Sequence, residues 1–268
     1  MFSNLKILVT NDDGIDSLGL KVLVEKLKTL TNDILVVAPN KQMSATSHKI
    51  TIHEGILLKK EEDIFKNVLT YSISGTPVDC VNIAINLLKF RPNVIFSGVN
   101  NGFNLGTDIL YSATVASACE GANYNILGIA ISCDVNNLEG MKYFDDIISY
   151  MRKTKIYKQA EVLNINIPRL ANNIQITHQG VFPFQMSYVQ KDDGLYYINS
   201  VPLVHSIYND MNSDVYAIYH NSISITPLTN NQTDFKLYEK NSKAFMDICR
   251  RYAPVVEKFS IDECFLDM

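Results

Sequence analysis

Apolar and polar positions along the chain switch between two periods, and each switch marks an element. Lys6 to Thr10 is a short apolar run that stops at Asn11-Asp12-Asp13-Gly14. Leu20, Leu23, Val24, Leu27 and Leu30 then recur at helical spacing, with Asp16 or Ser17 as the cap. Ile34 to Ala38 is the next apolar strand, ended by Pro39. Thr76-Pro77-Val78-Asp79 opens a second helix, with Thr76 as cap and Val81, Ile85 and Leu88 on one face. Val94 to Ser97 reads as a third buried strand, followed by a small-residue helix from Thr114 to Gly121 and a strand from Gly128 to Ser132. A fourth helix carries Met141, Phe144, Ile148 and Met151. Strands alternating with helices predict an α/β fold, a Rossmann-like, doubly wound, mainly parallel sheet in three layers. Two extra strand-like runs, 48–58 and 67–74, predict an antiparallel excursion at one edge.

The pattern changes after residue 155. Leu163-Asn164-Ile165-Asn166-Ile167 alternates with period two and reads as a strand. From there to Pro227 the chain is rich in Tyr, Phe, Asn and Ser, predicting hairpins and loops without a strong helix. Asp192-Asp193-Gly194 reads as a hairpin turn. These aromatic hairpins fit either a subunit contact or a β subdomain of the same monomer. A final helix is predicted over 241–252, and the tail with Phe259, Ile261 and Phe265 is apolar enough to dock on this or a neighbouring subunit. The division expected is a metal- and phosphate-binding core over 1–155 and a C-terminal part over 156–268, within one continuous domain.

Composition narrows the function. The residues are 47% hydrophobic and 19% charged, with a formal net charge of −4, so nothing electrostatic favours a nucleic-acid polymer. No apolar stretch approaches the roughly twenty residues of a membrane helix, and no signal-peptide pattern opens the chain. The five cysteines are scattered without Cys-x-x-Cys spacing, as expected of a reduced, cytoplasmic protein. No two of the five histidines have the i, i+4 spacing of a helical zinc site.

The chemistry is concentrated where strands end. Asp12 and Asp13 stand side by side at the carboxyl end of the first strand, the edge at which open α/β sheets place ligands. Adjacent carboxylates repel, and a hard divalent cation relieves the conflict; Asp-Gly is equally a common turn pair. Three further segments fall on the same edge. Ala38 to Ser47 offers hydroxyls and a lysine. Ser97 to Gly106 holds three glycines and three asparagines in ten residues, and lacks both the Walker ending and the dinucleotide spacing. Tyr111-Ser112-Ala113-Thr114 opens a helix, where hydroxyls cap the helix or receive an anion. Each segment alone also reads as a polar loop or a cap. Together they point to metal-assisted hydrolysis of a phosphate ester, with a metal-activated water. A nucleotide-sugar transferase with a carboxylate-bound metal, or a non-catalytic nucleotide-binding or assembly protein, stands as the alternative.

These stretches resemble the SurE family of metal-dependent nucleotidases. The matching residues are Ile7 to Gly14, Val36 to Pro39, Ser74 to Val81, Ser97 to Asn100, Asn104 to Gly106, Tyr111 to Ala116, Leu163 to Pro168 and Ser224 to Leu228, in the family's order. The resemblance implies hydrolysis of nucleoside 5′-monophosphates, and in some members of 3′-monophosphates and short polyphosphate. It implies one divalent cation per subunit (Mg²⁺, Mn²⁺ or Ca²⁺) on Asp12, Asp13, Ser44 and Asn100. Asn11 joins Asp12 and Asp13 in catalysis, and Asn104, Ser112 and Thr114 surround the phosphate. A homodimer or homotetramer through the C-terminal extension is implied as well. The chain departs from the family's usual glycines at Ala45 and Ala113, has Ser17-Leu18-Gly19 in place of Ala-Pro-Gly, and has Val181-Phe182 where an arginine is expected.

Overall fold

A computed structural model describes residues 5–181, 184–202 and 210–230, and the backbone of 255–258 and 264–267. The chain divides into two compact units, Met1–Asn230 and Asn231–Met268.

The first unit is organised by nine strands in one sheet. They are β1 (Lys6–Thr10), β2 (Asp33–Pro39), β3 (Leu58–Glu61), β4 (Leu69–Ile73), β5 (Val94–Asn101), β6 (Leu127–Cys133), β7 (Val162–Ile167), β8 (Asn173–Ile176) and, after a separate hairpin, β11 (Ser222–Leu228). Their spatial order is β3-β4-β2-β1-β5-β6-β7-β11-β8. The six strands from β4 to β7 in that order are parallel, while β3 and β11 run antiparallel to β4 and β7. From β1 the chain winds outward through β2 to β4, then returns to place β5 beside β1. The crevice at the carboxyl ends of β1 and β5 is therefore the topological switch point.

Both faces of the central strands are buried, which is why they read as continuous apolar runs rather than alternating ones. Ile7 and Val9 join one core cluster, and Leu8 between them joins the opposite one. α1 (Leu18–Lys28) and α4 (Phe144–Thr154) cover the first face with Leu20, Leu23, Leu27, Phe144, Ile148 and Met151. α2 (Pro77–Asn82) covers the second face, extended by a wider π turn over Ile83–Leu87. α3 (Ala113–Ala122) packs Val115 and Ala118 against Ala130 and Val162. Ser17 caps α1 by accepting from Leu20 N–H. Thr76 and Asp79 form a capping box on α2, with Pro77 in the first turn.

Some expectations shift. The antiparallel excursion exists, but its first strand is Leu58–Glu61, which meets the expected run 48–58 only at Leu58. Residues 48–57 follow an irregular path latched by side chains, with Thr51 N–H and Oγ both donating to Asp79. Asp79 thus satisfies that backbone in place of a sheet partner. Met141 lies in a 3₁₀ turn before α4 rather than in the helix, and Leu30 lies beyond α1. The helix-poor stretch does hold one short helix, α5 (Asp214–Tyr219), capped by Ser213. β9 (Phe184–Gln190) and β10 (Tyr196–Pro202) form the expected hairpin, turning at Gly194 with φ +77°.

The second unit contains an antiparallel pair, β12 (Val255–Lys258) and β13 (Cys264–Asp267). The helix expected over 241–252, and Phe259 and Ile261 of the tail, lie outside the described residues. Among the described residues no helix is long and apolar enough to cross a membrane.

Candidate active site

The site is assembled from the ends of β1, β2 and β5 and the start of α3. Past β1, Gly14 adopts φ +97°, a turn that favours glycine, and lets Ile15 N–H donate to the Pro39 carbonyl at 2.8 Å. The loop after β2 is tied to the same place, because Met43 N–H donates to the Asp12 carbonyl at 2.7 Å. Ser44 follows directly, its Oγ accepting from Gln42 Nε2 at 3.0 Å.

Asp12 is only 4% exposed, and its Oδ1 accepts from the Thr114 hydroxyl at 2.5 Å. Burial pushes its pKa up to about 6; the Thr114 bond opposes the rise, and the neighbouring Asp13 charge adds to it. Burial also raises Asp13, against the pull of Asn101 N–H and the Gln42 side chain. Asn101 N–H reaches Asp13 Oδ2 at 3.3 Å, which brings the end of β5 against the acidic pair. A register shift between Gly98 and Asn100 interrupts the ladder with β6, which resumes at Asn100 opposite Ser132 and Asn101 opposite Cys133. Asn100 Nδ2 donates to the Gly102 carbonyl at 2.7 Å, leaving its carbonyl oxygen to accept elsewhere. Asn11 lies behind the pair, with Nδ2 donating to Gly14 O and Ser17 Oγ, while its buried Oδ1 has no partner.

These residues suit a hard divalent cation. Among the described residues, no Lys, Arg or His forms an ion pair with Asp12 or Asp13. Two adjacent, partly desolvated carboxylates without a protein counter-charge are costly unless a cation joins them. No three His, Cys, Asp or Glu side chains converge among the described residues. The residues that could hold a cation are thus two carboxylates with neutral oxygens such as Ser44 Oγ and Asn100 Oδ1, donors of the kind that hard cations take.

The three expected phosphate residues take different positions. Thr114 commits its proton to Asp12. Ser112 caps α3 by accepting from Val115 N–H at 3.1 Å, and keeps its own O–H at the helix N-terminus. Asn104 is turned inward: its Nδ2 donates to Ser132 Oγ at 2.8 Å, and its backbone N–H donates to Asn166 Oδ1 at 2.8 Å. Its carbonyl accepts from both Asn164 and Asn166.

Motif reasoning does not show that these amides bind one another, and it misses Asp214. Asp214 is fully buried and gathers the N–H groups of Gly106, Gly180 and Val215, so it clamps the asparagine-rich loop to α5. Asn164 and Asn166 do leave a sequence signal, since asparagine at alternate positions of an apolar strand is unfavourable without a partner. Asp214 leaves none; apart from the adjacent Val215, its partners lie 34 and 108 residues away.

Residues 7–185 match the family model described as "Survival protein SurE". Residues 168–268 match a second model, described as the impB/mucB/samB family, a span that contains the whole second unit. The chain is 37% identical over 260 residues to the 5′-nucleotidase SurE of Caldanaerobacter subterraneus, covering 90% of this chain and 98% of that relative. It is 35% identical over 249 residues to the protein of the same name from Alkaliphilus metalliredigens, covering 88% and 97%. Among solved structures, the SurE protein from Aquifex aeolicus superposes with a TM-score of 0.72 at 30% identity, covering 90% of this chain and all of that one.

Proposed function

The chain belongs to the SurE family of survival proteins, and on that footing we propose that it is a divalent-metal-dependent phosphomonoesterase acting on nucleoside 5′-monophosphates. The observation that carries the reading is the acidic pair at the switch point, desolvated and without a protein counter-charge, with Asp12 held by the first turn of α3. Asp12, Asp13, Ser44 and Asn100 would hold the cation. When bound, it supplies an acidified water and neutralises charge on the phosphoryl oxygens.

The chain's own groups do the rest. Thr114 fixes one oxygen of Asp12, leaving Oδ2 to orient a water and accept its proton. Asn11 locks the turn that sets Asp12 beside Asp13. Ser112 and the N-terminus of α3 offer an O–H and backbone N–H groups to the phosphoryl oxygens. Asn104 shapes the loop that closes the site, through its bonds to Ser132, Asn164 and Asn166. The names of the relatives support nucleotide substrates over the transferase alternative.

The test is phosphate release from nucleoside 5′- and 3′-monophosphates and short polyphosphate, with Mg²⁺ or Mn²⁺ and with EDTA, for wild type and Asp13→Asn. Release that needs both metal and Asp13, without any acceptor sugar, is expected. Full release in EDTA or from Asp13→Asn would overturn the reading.

The same reading includes assembly with further copies of the chain. Among the described residues β9 and β10 pair only with each other, and they leave Tyr188, Leu195, Tyr196 and Ile198 more than 60% exposed. An apolar surface of that kind is characteristic of subunit contacts. Light scattering on the purified protein should give a multiple of 30.2 kDa, lowered by Tyr188→Ser with Ile198→Ser.

A further inference from the structure

The loop that follows β2 is held in place without a core. No residue from 40 to 57 is buried, so Ser44 keeps its position through polar contacts alone. Those contacts flank it on both sides. Met43 N–H is fixed on the Asp12 carbonyl, and Thr46 O–H closes the turn on the Met43 carbonyl at 2.8 Å. Ser47 binds the turn before α3, its N–H donating to Tyr111 O at 3.1 Å and its O–H to Leu110 O at 2.7 Å. His48 Nε2–H donates to Glu120 Oε2 at 2.9 Å. Along this stretch Ala45 and Ser47 adopt φ +56° and +51°. Left-handed backbone at residues that carry a side chain is strained, and it persists only where the surroundings over-determine it.

The His48 contact differs from the others in its acceptor. Glu120 lies in α3 at 8% exposure, and a carboxylate so nearly buried must be bonded. Among the described residues its side chain is bonded by His48 and by Asn123 Nδ2, and no Lys or Arg forms an ion pair with it. The same helix carries Thr114, which holds Asp12. One rigid element therefore grips a carboxylate of the acidic pair near its start and, further along, the loop that bears Ser44. We propose that His48 is a positioning residue for the cation site: pinned on Glu120, it holds the loop that brings Ser44 to the acidic pair. The inference rests on the metal-dependent reading and adds to it a residue outside the donor set. Without the pin, the strain at Ala45 and Ser47 can relax and Ser44 is no longer fixed. Asp12 and Asp13 stay at the end of β1, so affinity for the cation falls while the reacting groups keep their places.

The test is Mn²⁺ binding to the full-length protein, followed by titration calorimetry and by the EPR signal of free Mn²⁺. The proteins are wild type, His48→Ala, His48→Gln, Ser44→Ala and the double variant Ser44→Ala with His48→Ala. His48→Ala should weaken binding about tenfold, the lower end of what residues that orient metal ligands contribute. His48→Gln keeps an N–H donor for Glu120 and should recover most of that loss. The double variant should bind no more weakly than Ser44→Ala, because a residue acting through Ser44 then has nothing left to place. A merely structural role would lower the urea midpoint of His48→Ala and leave the Mn²⁺ affinity of the folded protein unchanged. Wild-type affinity in His48→Ala, a Gln variant as weak as the Ala variant, or full additivity in the double variant overturns the proposal. So does a loss of kcat at saturating Mn²⁺ as large as the loss of affinity. Phosphate release from adenosine 5′-monophosphate by the same preparations separates this inference from the reading beneath it. The expected binding pattern with no release from any ester leaves the pin standing and sinks the phosphomonoesterase reading alone. Release that needs metal and Asp13, with Mn²⁺ affinity indifferent to His48, does the reverse.

Discussion

Replacing Gly128 by alanine tests the link between helix packing and the acidic pair. Gly128 lies in β6, hydrogen-bonded between β5 and β7, under the middle of α3. A Cβ there would lie 2.1 Å from the Ala118 carbonyl oxygen, 2.6 Å from its carbon and 2.9 Å from its Cα. All three atoms are backbone of a helix whose Ala118 is completely buried, so no side chain can swing aside. Reaching a tolerable contact of about 3.2 Å requires α3 to move away by roughly 1 Å. Overpacking of this kind costs about 1–3 kcal/mol, and a central backbone clash belongs at or above the upper end. The same movement carries Thr114 away from Asp12, where the bond is 2.5 Å. A misplacement of about 1 Å at a catalytic group costs about a hundredfold in rate. Gly128→Ala should thus lose about 3 kcal/mol by urea denaturation and about a hundredfold in metal-dependent phosphate release. Gly55→Ala is the internal control, since nothing lies within 4 Å of its added Cβ. A Gly128→Ala protein within about 0.5 kcal/mol of wild type and fully active would refute the reasoning.

Three further outcomes follow from the same geometry. In EDTA-treated protein, Asp12 binds its proton more tightly folded, with a pKa of about 6, than unfolded, near 3.8. The stability it contributes is fully present below pH 3.8 and is lost as pH rises through 6. That loss is about 3 kcal/mol and should be missing from the urea-denaturation profile of Asp12→Asn. Thr114→Val keeps the shape but removes the donor to Asp12, so kcat/KM should fall about ten- to a hundredfold, the range for a hydrogen bond to a charged group; an unchanged value would remove Thr114 from the site. Asp214→Ala strands three backbone N–H groups in the interior and should cost about 3 kcal/mol or more, read as a lowered urea midpoint. Asp214→Asn, which keeps one carbonyl acceptor, should recover part of that loss.

Much of the fold was legible because buried parallel strands and amphipathic helices write their period into the chain. β1, β2, β5 and β6 fall where apolar runs predict them, β7 falls where the alternation of 163–167 does, and Thr76-Pro77 marks the start of α2. Residues 48–57 misled because their Ile, His and Leu positions imitate a strand, whereas Asp79 and Glu120 capture Thr51 and His48 and leave that backbone no ladder. α5 was missed because six residues are too few to show helical periodicity. Within the site, Asn104 was legible as important but not as inward-facing, since only β6 and β7 supply the Ser132, Asn164 and Asn166 that bind it.

By itself, the sequence determined the layers, the crossing to the switch point, and the adjacency of Asp12 and Asp13, because these follow from local period and from neighbours in the chain. The tertiary structure alone decided that Thr114, 102 residues away, holds Asp12, and that Asn101 and Asn136 lock together beside Asp13. Burial, pKa and the charge of a pocket wall are sums over groups distant in sequence, and they take values only once the sheet has brought those groups together.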